Sequence, residues 1–221
     1  MSAYYHSLLH LLFIGVIALF PVVNPIGSAL MVNRYFKDLS RPEKKKTVMK
    51  ITLYAFILCT VTLFAGHWIL ELFGLTIPVI QVAGGIMICK TGWDFLSGGK
   101  PSDQNTGGGN AVISKEDLQE KLFFPITFPI TTGAGTMAVL FTLSAHGAND
   151  NFSNYLLNTA ALMLSVTIIC AMVYFLYMNT DTLLKYAGSN GEAIINRIVA
   201  FLTFCVGLQI AFTGIKALGP L

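Results

Sequence analysis

The sequence predicts an all-α integral membrane protein. It reads as six transmembrane helices in two inverted three-helix repeats, with helices 1 and 4 broken. Three observations carry this. Apolar residues make up 54% of the 221-residue chain and charged residues only 11%. The polar loops alternate between basic and free of Lys and Arg. A motif with two prolines occurs once in each half.

Composition sets the class. Soluble globular chains carry about 25% charged residues, well above the value here. Mean hydropathy is +0.67, and the apolar runs reach the roughly 20 residues that cross a bilayer as a helix. The first residues, 1–7, contain no Lys or Arg, so the charged start of a secretory signal peptide is missing and the first apolar segment is expected to be retained. Cys59, Cys89, Cys170 and Cys205 all lie in apolar runs without CxxC or His spacing; they read as buried small hydrophobes and not as metal ligands. No metal and no cofactor is expected.

Six apolar segments follow in order: residues 8–32, 47–73, 75–96, 122–144, 155–178 and 194–217. Helices are expected because a helix satisfies its own backbone in lipid. The loop between spans 1 and 2 holds Arg34, Lys37, Arg41, Lys44, Lys45, Lys46 and Lys50. The loops after spans 2 and 4 hold no Lys or Arg, whereas those after spans 3 and 5 are basic. The positive-inside rule then puts both termini outside. The Gly-, Ser- and Asn-rich stretch at 98–120 reads as a flexible cytoplasmic linker. It separates a first repeat, 1–97, from a second, inverted repeat, 121–221. The "GGKPS" within it lacks phosphate-loop spacing.

The repeated motif is "FPVVNPI" at 20–26 and "FPITFPI" at 124–130. Both read F-P-x-x-x-P-I, and both sit in the first span of their half. With three spans per half the copies run in opposite directions, as in transporters built from inverted repeats with interrupted helices. Pro21 and Pro25 lack N–H donors and clash with the carbonyls of Ile17 and Pro21; Pro125 and Pro129 do the same to Lys121 and Pro125. The freed carbonyls would share one helix face. A new helix is expected to start with Asn24 as cap and Pro25 as first residue, leaving the N–H groups of Ile26 and Gly27 unpaired. Thr131 or Thr132 is the expected cap in the second half, with Gly133 and Gly135 admitting a ligand to the backbone. Such a site offers donors for a carboxylate and acceptors for an ammonium, without formal charge. It suits a small zwitterion. Asn24, Pro25, Gly27, Ser28, Thr131, Thr132, Gly133, Gly135 and Thr136 are its candidate substrate-binding residues.

These motifs, in a six-span chain of this size, resemble the MarC family, also called the SnatA or NAAT family. "VAGGIMICKTG" and "RIVAFLTFCVGLQIAFTGI" look like its third and sixth spans. The resemblance implies a bacterial or archaeal inner-membrane protein that transports small neutral amino acids such as glycine and alanine, with proton-coupled uptake proposed for characterised members. The family motifs fall here on Asn24, Pro25, Gly27, Thr132, Gly133, Gly135 and Thr136.

Other polar residues in the spans are weighed in turn. Lys90 and Asp94, four apart in span 3, can pair along one face and are the candidate coupling residues, although Lys90 can also snorkel to the interface. His67 and Glu71 read as an interfacial pair. Gln209 either bonds across helices or lines the pathway. Gly207 and Ala211 form a small-xxx-small pair for close packing. The leading expectation is a secondary transporter working by alternating access on a small zwitterionic substrate in the bilayer. A channel or exporter built on the same broken helices is the alternative. An enzyme is not expected, since GxSxG and HExxH are absent and no base accompanies Ser28. Nucleic acid is not a partner. A homo-oligomer is compatible with the sequence and not required by it.

Overall fold

The computed structural model describes residues 2–97, 115–147 and 152–219. The described residues are helical, without a strand. In chain order the elements are α1 (Ser2–Val23), α2 (Pro25–Val32), a short 3₁₀ turn (Asn33–Tyr35), α3 (Arg41–Phe73), α4 (Ile77–Leu96), α5 (Lys115–Lys121), a wide-turn segment (Leu122–Thr131), α6 (Ala134–Gly147), α7 (Phe152–Met178) and α8 (Thr180–Ala217).

Local chemistry sets several boundaries. The Glu43 carboxylate accepts from both the Ser40 N–H and its hydroxyl, at 3.0 and 2.7 Å, which starts α3. Gly74, at φ 62°, ends it in the left-handed conformation. Asn179 is the only residue between α7 and α8, and its side-chain amide donates to the Phe175 carbonyl at 2.7 Å.

Among the described residues, four helical stretches are long and apolar enough to cross a membrane: Leu8–Val32, Arg41–Gly66, Asn154–Met178 and Ala200–Ala217. A fifth is the bent pair Leu118–Thr131 plus Ala134–Ser144, which turns by 63° if it forms one span. The expected third span becomes α4, 20 residues long. Gln81, Lys90 and Asp94 dilute its apolar run, and it is not among those stretches. Residues 98–114 of the expected linker lie outside the described residues. The linker reading gives way at 115–120, which belong to α5: Leu118 is buried, and Lys50 donates to Gln119 at 2.8 Å. The last span also starts earlier than expected, because α8 continues back to Thr180.

The helices interleave across the two halves. α1 packs on α7, and α3 on α6 and the wide-turn segment; α4 packs on α6 and α8; α3 also packs on α7. The apolar core lies between them and includes Leu19, Val32, Ile51, Ile126, Leu140 and Leu162. Two serines stitch neighbours together. Ser165 of α7 donates to the Leu12 carbonyl of α1 at 3.0 Å, and Ser144 of α6 donates to Leu63 of α3 at 2.7 Å.

The α4–α8 pair is the tightest. A Cβ on Gly207 would lie 2.6 Å from the Cys89 nitrogen, and one on Gly85 would lie 2.7 Å from the Gly207 carbonyl. Gly92 faces Phe204 at 2.6 Å and Gly214 faces the Pro78 carbonyl at 2.6 Å in the same sense. The expected packing role of Gly207 and Ala211 is therefore met by backbone-to-backbone contact. Replacing Gly207 with Leu should lower stability by more than about 3 kcal/mol, because the clash is with main chain and not with a movable side chain. Lipid-facing Phe212→Ala should change it by less than about 0.5 kcal/mol. Thermal unfolding in detergent reads both.

Candidate functional site

The first break follows the sequence closely. Asn24 sits between α1 and α2 with φ 47° and ψ 63°, the left-handed region that asparagine tolerates better than most residues. Its Oδ1 accepts from the Gly27 N–H at 3.0 Å, and its carbonyl accepts from Ser28 N–H at 2.9 Å. Pro25 is the first residue of α2. The expectation of a free Gly27 N–H is corrected, since the cap satisfies it. The Pro21 carbonyl, freed by Pro25, accepts from the Thr203 hydroxyl of α8 at 3.2 Å.

The second break is built differently. Phe124 and Phe128, each just before a proline, are extended, with ψ of 123° and 124°. Each extended residue widens its turn. The Thr127 hydroxyl then reaches the Leu122 carbonyl, and the Thr131 hydroxyl the Ile126 carbonyl, both at 2.7 Å and five residues back. The sequence states this geometry as a tandem "FPIT–FPIT", residues 124–131. Reading only the proline spacing overlooks it. The expected cap role of Thr131 is corrected, because its hydroxyl is turned back to Ile126. Gly133 takes the position before α6, its carbonyl accepting from Met137 N–H at 3.2 Å.

The two breaks lie against each other. A Cβ on Gly135 would touch Ile88 of α4 and come within 3.3 Å of Val22 of α1. Gly135 therefore serves helix packing, a correction to its expected ligand-facing role. Gly133 is more open, its nearest neighbour being the Pro129 carbonyl at 3.2 Å. Ser28, Thr131, Thr132 and Thr136 are all buried. Tyr177 of α7 reaches the second break: its hydroxyl is 2.8 Å from Thr131 Oγ1. The first break lies beside it, α2 packing on the wide-turn segment. The Thr136 hydroxyl is fully buried without a hydrogen-bond partner. Tyr177 is not legible in the sequence, where it reads as one more aromatic near a span end.

The remaining candidates stand apart. Lys90 is exposed on α4, Asp94 is partly exposed, and no ion pair joins them. The face of α4 at Cys89 and Gly92 is turned to α8, leaving Lys90 outward. Gln209 is exposed and not turned into the bundle. The His67 side chain lies outside the described residues.

Comparison with known proteins agrees with the geometry. The family model for MarC family integral membrane proteins matches residues 9–218. The chain belongs to the MarC family. Inner membrane proteins MarC of Escherichia coli K12 and of Shigella flexneri are 23% identical to it over 208 residues, covering 91% of this chain and 92% of theirs. The same protein of Escherichia coli O1:K1 is similar to the same extent, 23% over 208 residues. No solved structure matches.

In this MarC-family chain the cap at Asn24 can be tested directly. Asn24→Gly should cost only about 0.3 kcal/mol, since glycine caps nearly as well and takes the left-handed conformation freely. Asn24→Ala should cost about 1 kcal/mol more, since alanine resists the left-handed conformation. Thermal unfolding of both variants should preserve that order.

Proposed function

We propose that this protein is a secondary transporter of small neutral amino acids of the glycine and alanine class. Substrate binds between the two breaks, and the helices that carry them move about the α4–α8 pair to alternate access, with proton coupling as the resemblance implies. The observation that carries this reading is the meeting of the two breaks, α2 against the wide-turn segment, at the buried hydroxyls of Ser28 and Thr131, the latter bonded to Tyr177. Thr136 adds a buried hydroxyl with bonding capacity left over. Leaving such a group unpaired costs about 1–3 kcal/mol, which a polar solute would recover.

The packing pattern supports six spans in two inverted repeats. Exchanging spans 1 and 4, 2 and 5, and 3 and 6 turns the α1–α7 contact into α3–α6, and the α4–α6 contact into that of α8 with α1 and α2. The α3–α7 and α4–α8 contacts map onto themselves. α4 is the third span in this reading, its polar residues offset by its contact with α8. An inner-membrane location is supported by the relatives, which are inner membrane proteins, and termini outside by the loop charges.

Counter-flow of glycine and alanine in proteoliposomes tests the proposal, and saturable, concentrative uptake is expected. Uptake without concentration would favour the channel alternative; no saturable uptake of any amino acid would sink the transporter. Gly133→Val should abolish uptake while the thermal midpoint stays within a few degrees, since a Cβ there meets only one carbonyl. Gly27→Val should also abolish it, by pushing the Asn24 side chain out of its cap.

A further inference from the structure

The α7–α8 junction carries two contacts in five residues. Tyr177, just before Asn179, reaches the Thr131 hydroxyl at 2.8 Å, beside buried Ser28 of α2. Thr180 and Asp181, just after it, are held by Lys44 of α3: the ammonium donates to Thr180 Oγ1 and to Asp181 Oδ2, each at 2.8 Å. Lys44 also lies over the Phe36 ring, 5.8 Å from its centre, and Phe36 in turn packs on the Tyr177 ring at 6.1 Å. A continuous stack thus runs from the hydroxyls to the ammonium.

Lys44 is unusual on two counts. Its side chain is only 6% exposed, while Asp181 is 69% exposed. A nearly buried ammonium must be held by its partners. It also stands near the start of α3, the end at which a helix disfavours a cation. Local helix energetics therefore do not explain it, whereas the junction it grips does. Its neighbours Lys45 and Lys46, by contrast, are exposed.

We infer that Lys44 is a gating residue on the basic-loop side of the site. It fixes the α7–α8 junction so that Tyr177 and Phe36 close over the hydroxyls of Ser28 and Thr131. Lys44 touches no solute; it acts by positioning Tyr177. Opening toward the basic loops requires the ammonium to release Thr180 and Asp181, and the Asn179 break lets the junction swing. This rests on the transporter reading for the identity of the solute, but its test does not need one.

The test is the reactivity of Ser28→Cys in full-length protein in oriented membrane vesicles. A membrane-impermeant maleimide is added from either face, and modification is read by mass at that peptide. Labelling should be slow with Lys44 present. Lys44→Gln should raise the rate from the basic-loop face on the order of tenfold or more, a shift in the open population, and Lys44→Arg should restore slow labelling. A merely structural lysine would not give that face-specific change with rescue by arginine. Asp181→Asn, at an exposed side chain, should give a smaller rise, and it carries the test if Lys44→Gln is not recovered monodisperse. Unchanged labelling in Asp181→Asn and in any folded Lys44→Gln, or a rise only from the opposite face, overturns the inference. Absence of any transported amino acid alongside faster labelling would sink the transporter reading and leave the gate standing.

Discussion

Within a membrane, a backbone amide or carbonyl without a partner is too costly to leave in lipid, and this constraint organises the molecule. Helices are broken here at two prolyl motifs. The breaks are tolerated because named side chains bond the backbone around them: Asn24 Oδ1 takes the Gly27 N–H and Thr203 the Pro21 carbonyl, while Thr127 and Thr131 bond the Leu122 and Ile126 carbonyls of the widened turns. The two copies of one motif meet the same demand by different means. The first uses a left-handed asparagine and a cap. The second uses two extended phenylalanines and threonines that reach back five residues.

The polar chemistry at the site is a by-product of these repairs. Thr131 repairs the second break and then has its hydroxyl against Tyr177. Ser28 donates to the Pro25 carbonyl at 3.3 Å and is buried where α2 packs on the wide-turn segment. The hydroxyls that stabilise the irregular backbone are thus the same ones that face each other where the halves meet. Structure and recognition share atoms, which is why a substitution here is hard to assign to one role alone.

Much of this was legible in the sequence, for identifiable reasons. Long apolar runs fix helices because lipid admits little else. Asn24 followed by Pro25 reads as a helix start because both residues have one strong conformational preference there. Gly207 and Ala211 read as a close contact because small residues at that spacing let backbones approach. Three features escaped for equally physical reasons. Proline spacing predicts which carbonyls are released but not the widened turns, which come from the extended Phe124 and Phe128 with Thr127 and Thr131 bonding five residues back. Gly135 looked ligand-facing because a glycine's neighbour is set by tertiary packing, here Ile88. Tyr177 and Lys44 come to the site from distant stretches of the chain, 46 and 136 residues from their hydrogen-bond partners, so no local pattern announces them.

Stiffness is distributed unevenly as a result. Along α4 and α8 main chain rests on main chain at four glycines, Gly85, Gly92, Gly207 and Gly214, with no side-chain layer between to absorb displacement. Sliding or tilting one of these helices against the other would drive backbone into backbone. The pair therefore behaves as a single mast. The compliance of the molecule has to reside in the elements hung from it, α1–α2, α3, the wide-turn segment with α6, and α7 at its Asn179 junction. Evolutionary drift should be tolerated least along that seam and most on its lipid-facing flanks.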